Sequence, residues 1–104
     1  MGSTTPQKQC LCRPNMAEEA SQLLSDLANS ERLLIVALLH EVGEMHVNAM
    51  VEVLGANRAS LSRQLARLRE QSIVTTRRKH NRIYYALSHS KAAELIKTIG
   101  HVMS

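Results

Sequence analysis

The chain has no tryptophan, no phenylalanine and only two tyrosines among its 104 residues, although 44% of them are hydrophobic. Its core must therefore come from Leu, Ile, Val, Ala and Met, which suits helices packed on helices. Glycine (4) and proline (2) are scarce, and no Gly-rich phosphate loop can be drawn around Gly55, which stands alone. No apolar run approaches the roughly 20 residues needed to cross a bilayer. Residues 1–14 are polar rather than a signal peptide, so a cytoplasmic protein without a membrane partner is expected. Internal repeats and low-complexity tracts are absent. The two cysteines, Cys10 and Cys12, lie in the polar N-terminal stretch, and a reducing cytosol argues against a stable disulfide there as a structural staple. A chain of this length makes one small domain, of the kind that often dimerises.

Charge is present but segregated. Residues 16–56 hold seven acids and a single base, Arg32, whereas residues 57–82 hold eight Lys or Arg against one acid, Glu70. The net charge of +4 hides this dipolar layout. An evenly solvated basic surface would not divide this way, whereas a nucleic-acid-binding face does.

The basic half opens with a helix-turn-helix pattern. Gly55 suits the left-handed end of one helix, and Asn57 suits the N-cap of the next. Leu61, Leu65 and Leu68 then recur at helical spacing and face a core. Around them stand the candidate DNA contacts Asn57, Arg58, Ser60, Ser62, Arg63, Gln64, Arg67 and Arg69. Arg bonds guanine edges, Gln bonds adenine, and Ser and Arg bond phosphates. Two β-branched and aromatic runs follow, residues 73–78 and 82–87, flanking the polar turn Lys79-His80-Asn81. This is a hairpin signal, with Asn81 the candidate for a positive φ. Helix-turn-helix followed by a basic-tipped hairpin predicts a winged helix.

The other segments read as scaffold. A helix over 16–27 has Asn15 as N-cap and Glu18 in the capping box, with Met16, Ala20, Leu23, Leu24 and Leu27 as its stripe. A second, capped by Asn29 or Ser30 and running to about residue 41, is apolar nearly all round and belongs in the centre. His40 at its end reads as a partly buried packing residue. Residues 46–54 form a short helix with Met50, Val53 and Leu54 inward. Residues 90–103 form the last helix, with Ala92, Leu95, Ile96, Ile99, Val102 and Met103 on one face.

From about residue 16 onward the chain resembles the arsenic-repressor-type (ArsR/SmtB) family of bacterial winged-helix repressors. The likeness rests on Leu27-Ala28-Asn29-Ser30-Glu31-Arg32-Leu33-Leu34-Ile35, on Ser60-Leu61-Ser62-Arg63-Gln64-Leu65-Ala66-Arg67-Leu68-Arg69, and on Arg82-Ile83-Tyr84-Tyr85-Ala86-Leu87. It implies a mainly α fold with a β-hairpin wing, over residues 15–104, preceded by a flexible arm at 1–14. It also implies a homodimer formed through the first and last helices, and a repressor that releases its operator when an effector binds or a thiol reacts. Two symmetry-related recognition helices read half-sites roughly 34–36 Å apart, so the expected target is an inverted repeat in double-stranded DNA. Arg63 and Gln64 are expected to read bases, with Arg58 and Ser60 next. Ser62, Arg67 and Arg69 are expected on phosphates, and Arg77, Arg78, Lys79 and Arg82 on the backbone or in the adjacent minor groove. One departure stands at Ser72, where the family usually has glycine.

The usual metal sites of the resembled family are broken. Its Cys-Val-Cys motif reads His46-Val47-Asn48 here, and the ligand pairs of its last helix have no match in Ser88-His89-Ser90-Lys91 and a lone His101. Cys10, Cys12 and His46 of the other subunit remain as a possible set for zinc or another soft or borderline metal. The same cysteines, beside Lys8 and Arg13, could instead sense oxidants or reactive sulfur, or do nothing specific. An enzyme has little support, since Ser60 and Ser62 lack a neighbouring His-Asp set in sequence. The closer rivals are a constitutive winged-helix DNA-binding protein without an effector, and a winged helix that binds RNA or protein.

Overall fold

A computed structural model of the chain describes residues 11–104. Five helices and three strands follow in the order α1 (Pro14–Leu27), α2 (Ser30–Val42), β1 (Glu44–His46), α3 (Val47–Leu54), α4 (Arg58–Glu70), β2 (Val74–Lys79), β3 (Arg82–Leu87) and α5 (Ser90–Met103). The mainly α winged helix-turn-helix is as expected. The strand β1 is new to it: the short run before α3 pairs antiparallel with β3, making a sheet of order β1-β3-β2.

Helix boundaries follow local capping chemistry. Asn29 Oδ1 accepts from Arg32 N at 3.0 Å and starts α2. Asn57 Oδ1 accepts from Ser60 N at 3.0 Å and starts α4. Gly55, at φ 60 and ψ 31, ends α3 in the left-handed conformation. The start of α1 differs from expectation. Pro14 occupies its first turn and Arg13 stands at the N-cap with no side-chain cap bond. Proline has a preset φ and no N–H to satisfy, so it takes N1 readily, and Asn15 is drawn inside the helix. The caps of α3 and α5 are histidines, a role the sequence did not reveal. His46 Nδ1 accepts from Ala49 N at 3.4 Å and His89 Nδ1 from Ala92 N at 3.1 Å.

The core gathers Leu27, Ile35, Val36, Leu39, Met50, Leu61, Leu65, Leu68, Ile73, Val74, Ala92 and Ile96. The stripe of α4 is buried as its spacing predicts. Two inward assignments fail: Val53 is 60% exposed, and His40 is exposed rather than packed. An eight-residue helix ending at Gly55 buries one narrow face, which Met50 occupies. The terminal stripes are half-finished within one chain. Of the α1 stripe Leu27 alone is buried while Leu24 is 50% exposed, and Val102 and Met103 on α5 are 71% and 78% exposed.

The hairpin turn has both central residues at positive φ, His80 at 52 and Asn81 at 65. That is the two-residue primed geometry whose twist matches the strands; Asn81 was expected there, and His80 joins it. Ser72 is also left-handed, at φ 60. Ile73 N donates to Leu68 O at 2.9 Å and Ser72 N to Arg69 O at 3.0 Å, so α4 ends in the closure that glycine usually supplies. A non-glycine residue there costs about 1–2 kcal/mol, part of which glycine's greater unfolded-state entropy would offset. Ser72→Gly is therefore expected to raise the melting temperature by a few degrees, read by thermal denaturation. An unchanged or lower value would show that the strain is compensated elsewhere.

Candidate nucleic-acid interface

Burying Leu61, Leu65 and Leu68 on α4 leaves its opposite side to solvent. Ser62, Arg63 and Arg67 are exposed there, while Arg58 and Arg69 are exposed at the two ends of the helix, beside the leucine stripe. None of these five side chains has a hydrogen-bond or ion-pair partner among the described residues. A row of unengaged guanidiniums on one rigid helix suits an extended polyanion, because each can give two parallel hydrogen bonds to phosphate or guanine.

Three other predicted contact residues of α4 are committed inside the fold. Asn57 is the N-cap. Ser60 Oγ donates to Glu31 Oε1 at 2.6 Å, and Gln64 Oε1 accepts from Arg32 Nη1 at 2.7 Å. Glu31 and Arg32, in the first turn of α2, therefore hold the inner edge of α4. Sequence reading missed both roles, and the one available signal was that Arg32 is the sole base across residues 16–56.

The wing divides its cations between two faces. Residues paired directly across an antiparallel ladder share a face, and neighbours along the strand alternate. Arg77 pairs with Tyr84, which pairs with His46, while Lys79 pairs with Arg82. These residues share the outer face with Glu44. Val74, Leu87, Tyr85 and Met45 lie on the core side, and so do Arg78 and Ile83 near the tip.

On the outer face the side chains engage one another. Arg77 makes a two-pronged contact with Glu44, Nε to Oε2 at 2.9 Å and Nη2 to Oε1 at 2.6 Å. The hydrogen bond from Arg77 holds the Glu44 carboxyl below the usual carboxylate range, and Glu44 in turn raises the Arg77 guanidinium. Arg82 Nη1 lies 3.1 Å from His46 Nε2. Lys79 Nζ sits 6.0 Å from the centre of the Tyr84 ring, which meets His46 edge-on at 5.5 Å. Arg78 alone among the four predicted wing cations has no such neighbour among the described residues.

His46, the predicted histidine ligand, is engaged within its own chain. A neutral imidazole has one lone pair, and both nitrogens of His46 already face donors of the same chain, the Ala49 amide and the permanent cation Arg82. Among the described residues no group of three or more His, Cys, Asp or Glu is placed to hold a metal ion. Cys10 and most of the arm lie outside the described residues. Cys12 is exposed just ahead of α1, and it is disulfide-bonded, unlike the reduced state expected from the compartment.

Comparison with known proteins agrees with this geometry. The family model described as bacterial regulatory protein, arsR family, matches residues 29–76. The biofilm growth-associated repressor of Xylella fastidiosa is 40% identical over 83 residues, covering 80% of this chain and 72% of that protein. The nodulation protein NolR of Rhizobium meliloti is 37% identical over 87 residues, covering 83% and 70%. Among solved structures, the transcriptional repressor BigR from Xylella fastidiosa matches with a TM-score of 0.84 at 34% identity, over 97% of this chain and 98% of that one. The transcriptional regulator HlyU from Vibrio vulnificus matches with a TM-score of 0.82 at 31% identity, over 88% and 94%.

The Glu44–Arg77 contact sets a test. Glu44→Gln removes a negative charge and frees a guanidinium beside the wing. It is expected to strengthen binding to duplex DNA severalfold and to steepen the salt dependence by about one unit of slope. Acidification should act in the same direction. Glu44 has a lowered pKa, so the pairing is intact above the ordinary carboxylate range and is lost as pH falls through that lowered value. Anisotropy titrations at several salt concentrations, repeated across a pH series, would check both, and an unchanged slope in Glu44→Gln would place Arg77 away from DNA.

Proposed function

The chain belongs to the arsR family of bacterial regulatory proteins, and from that premise we propose that it is a transcriptional repressor that binds an inverted-repeat operator as a homodimer. The observation that carries the DNA contact is that Arg58, Ser62, Arg63, Arg67 and Arg69 stand exposed along α4, with no partner among the described residues. Arg63 and Gln64 meet base edges in the major groove, flanked by Arg58. Ser62, Arg67 and Arg69 hold phosphates, and Arg78 at the wing tip reaches the neighbouring backbone. Among the described residues no helix is long and apolar enough to cross a membrane.

The homodimer is supported by the unfinished terminal helices. Leu24, Val102 and Met103 remain exposed. An open groove lined by Leu23, Leu24 and Leu95 runs between α1 and α5. A second copy related by a two-fold axis would cover these stripes and set the two α4 helices against successive half-sites.

For the effector, the arm cysteines carry the reading. Oxidation of Cys10 and Cys12 by a peroxide would form a disulfide, with the two thiol protons and two electrons converting hydrogen peroxide to two waters, or an organic peroxide to an alcohol and one water. The His46 geometry speaks against a zinc input.

Fluorescence anisotropy on DNA from upstream of the gene tests these parts in one design. Reduced protein is expected to bind with an affinity typical of specific sites, about 10⁻⁸ M or tighter at physiological salt, in the presence of excess competitor DNA. Peroxide is expected to weaken binding at least tenfold, Zn(II) to leave it unchanged, and Cys10→Ser/Cys12→Ser to abolish the peroxide response. Equal affinity for operator and competitor would defeat the repressor reading. Specific binding indifferent to peroxide would leave a constitutive DNA-binding protein.

A further inference from the structure

Among the described residues Asp26, on the last turn of α1, is the one buried charged residue, only 4% exposed. Its carboxylate has a single hydrogen-bond partner, Gln22 Nε2, at 3.1 Å from Oδ1. Oδ2 has none. Arg32 passes the carboxylate by, donating to the Asp26 backbone oxygen at 2.7 Å and to Gln64. Neither ion pair of the described residues, Glu44–Arg77 or Glu19–Lys91, includes Asp26. Yet no fully buried side-chain nitrogen or oxygen among these residues lacks a partner. Oδ2 therefore keeps a narrow opening, and Asp26 lines a cavity.

That cavity measures about 620 Å³ and lies between α1, the segment joining α4 to β2, and the start of α5. It follows α1 from Asn15 to Asp26, roughly 16 Å at 1.5 Å per residue. Met16, Ala20, Leu23 and Ile73 give it an apolar wall. Small-molecule sites have this size and this make-up, mainly apolar with a few placed polar groups. The other ionisable groups on the wall are already engaged. Lys91 reaches from α5 to pair with Glu19 on α1. His89 Nδ1 accepts from Ala92 N at 3.1 Å, using a lone pair that only the neutral ring offers. Two acids, Glu19 and Asp26, against one base, Lys91, leave one negative charge on the wall, and it belongs to Asp26.

A second copy of the chain does not answer that charge. The side chains offered for pairing, Leu24, Val102 and Met103, are apolar. Covering a carboxylate with apolar surface leaves it desolvated and unpaired, which is costly.

We propose that this cavity binds a small amphipathic organic cation, an alkyl- or arylalkyl-ammonium. Its charged end pairs with the Asp26 carboxylate, and its apolar body lies along Met16, Ala20, Leu23 and Ile73. An ammonium has donors and no acceptor, so a charge-assisted bond to Oδ2 gives the carboxylate the partner it lacks. The site goes beyond the repressor reading and does not depend on how α4 meets DNA.

The test titrates the full chain, reduced and without DNA, and follows its backbone amide shifts by two-dimensional NMR. The probes are hexylammonium and 4-phenylbutylammonium, each beside its neutral alcohol, 1-hexanol or 4-phenyl-1-butanol. At least one ammonium probe is expected to saturate with a dissociation constant of roughly 1–5 mM or tighter. It should move the amides of Asp26, Ile73 and Lys91, and bind at least tenfold more tightly than its alcohol. Asp26→Asn keeps the side-chain shape and an oxygen for Gln22 but removes the charge. In that variant the ammonium probe is expected to bind no better than the alcohol. Equal affinity of ammonium and alcohol for the wild-type chain overturns the proposal. So do shifts confined to Leu24, Leu95 and Thr98, which line the neighbouring groove. Absence of saturable binding by either ammonium overturns it too, and is the result expected if a partner subunit fills the cavity. A folded Asp26→Asn that keeps the preference for ammonium overturns the role of Asp26. If that variant does not fold, the comparison of ammonium with alcohol on the wild-type chain still decides the matter. Operator binding, measured separately by anisotropy, stands or falls independently of every one of these results.

Discussion

The packing of Leu61, Leu65 and Leu68 into the core beside Ile35, Val36 and Leu39 is the constraint on which the rest depends. Fully burying a leucine is worth roughly 1.5–3 kcal/mol, so these three residues fix the rotation of α4 about its own axis. Once that rotation is fixed, the intervening positions have no freedom about where they point. Ser62, Arg63 and Arg67 are turned outward, while Ser60 and Gln64 fall at the edge, within reach of α2. The same burial that stabilises the domain therefore determines which polar groups are free to meet a ligand.

The polar contacts around α4 and the wing then act as selectors. Glu31 takes the Ser60 hydroxyl, Arg32 takes the Gln64 carbonyl, and Glu44 takes Arg77. Each acid or base from the acidic half of the chain reaches across to the basic half and withdraws one group from it. The strong charge segregation of the sequence is consequently blunted at chosen points. What remains is a narrower set of unengaged cations, those along the outer face of α4 and Arg78 at the wing tip.

The terminal helices belong to a different level of organisation. Their stripes are regular in the sequence, yet within one chain they bury little beyond Leu27, Ala92 and Ile96. Helical periodicity announces an apolar face without saying whether that face meets its own chain or another. Val53 teaches the same lesson on a smaller scale, since an apolar residue on a short helix can point outward. His40, at the end of an apolar helix, does so too.

Much was legible because it is local. Leucine spacing, the Asn29 and Asn57 caps, the Gly55 turn and the Asn81 hairpin each depend on residues within a turn or two, and each stands where the sequence placed it. The histidine caps were local as well but went unread, because an imidazole serves many roles and nothing in its neighbours singles out this one. The strand β1 and the clamps on Gln64 and Arg77 could not be read at all. Arg32 and Gln64 are 32 residues apart, and Glu44 and Arg77 are 33. Sequence by itself determined the helices, the wing and the basic face. Only the tertiary structure decided which of those basic and polar groups are already taken, because a side-chain hydrogen bond depends on distance in space and not on separation along the chain.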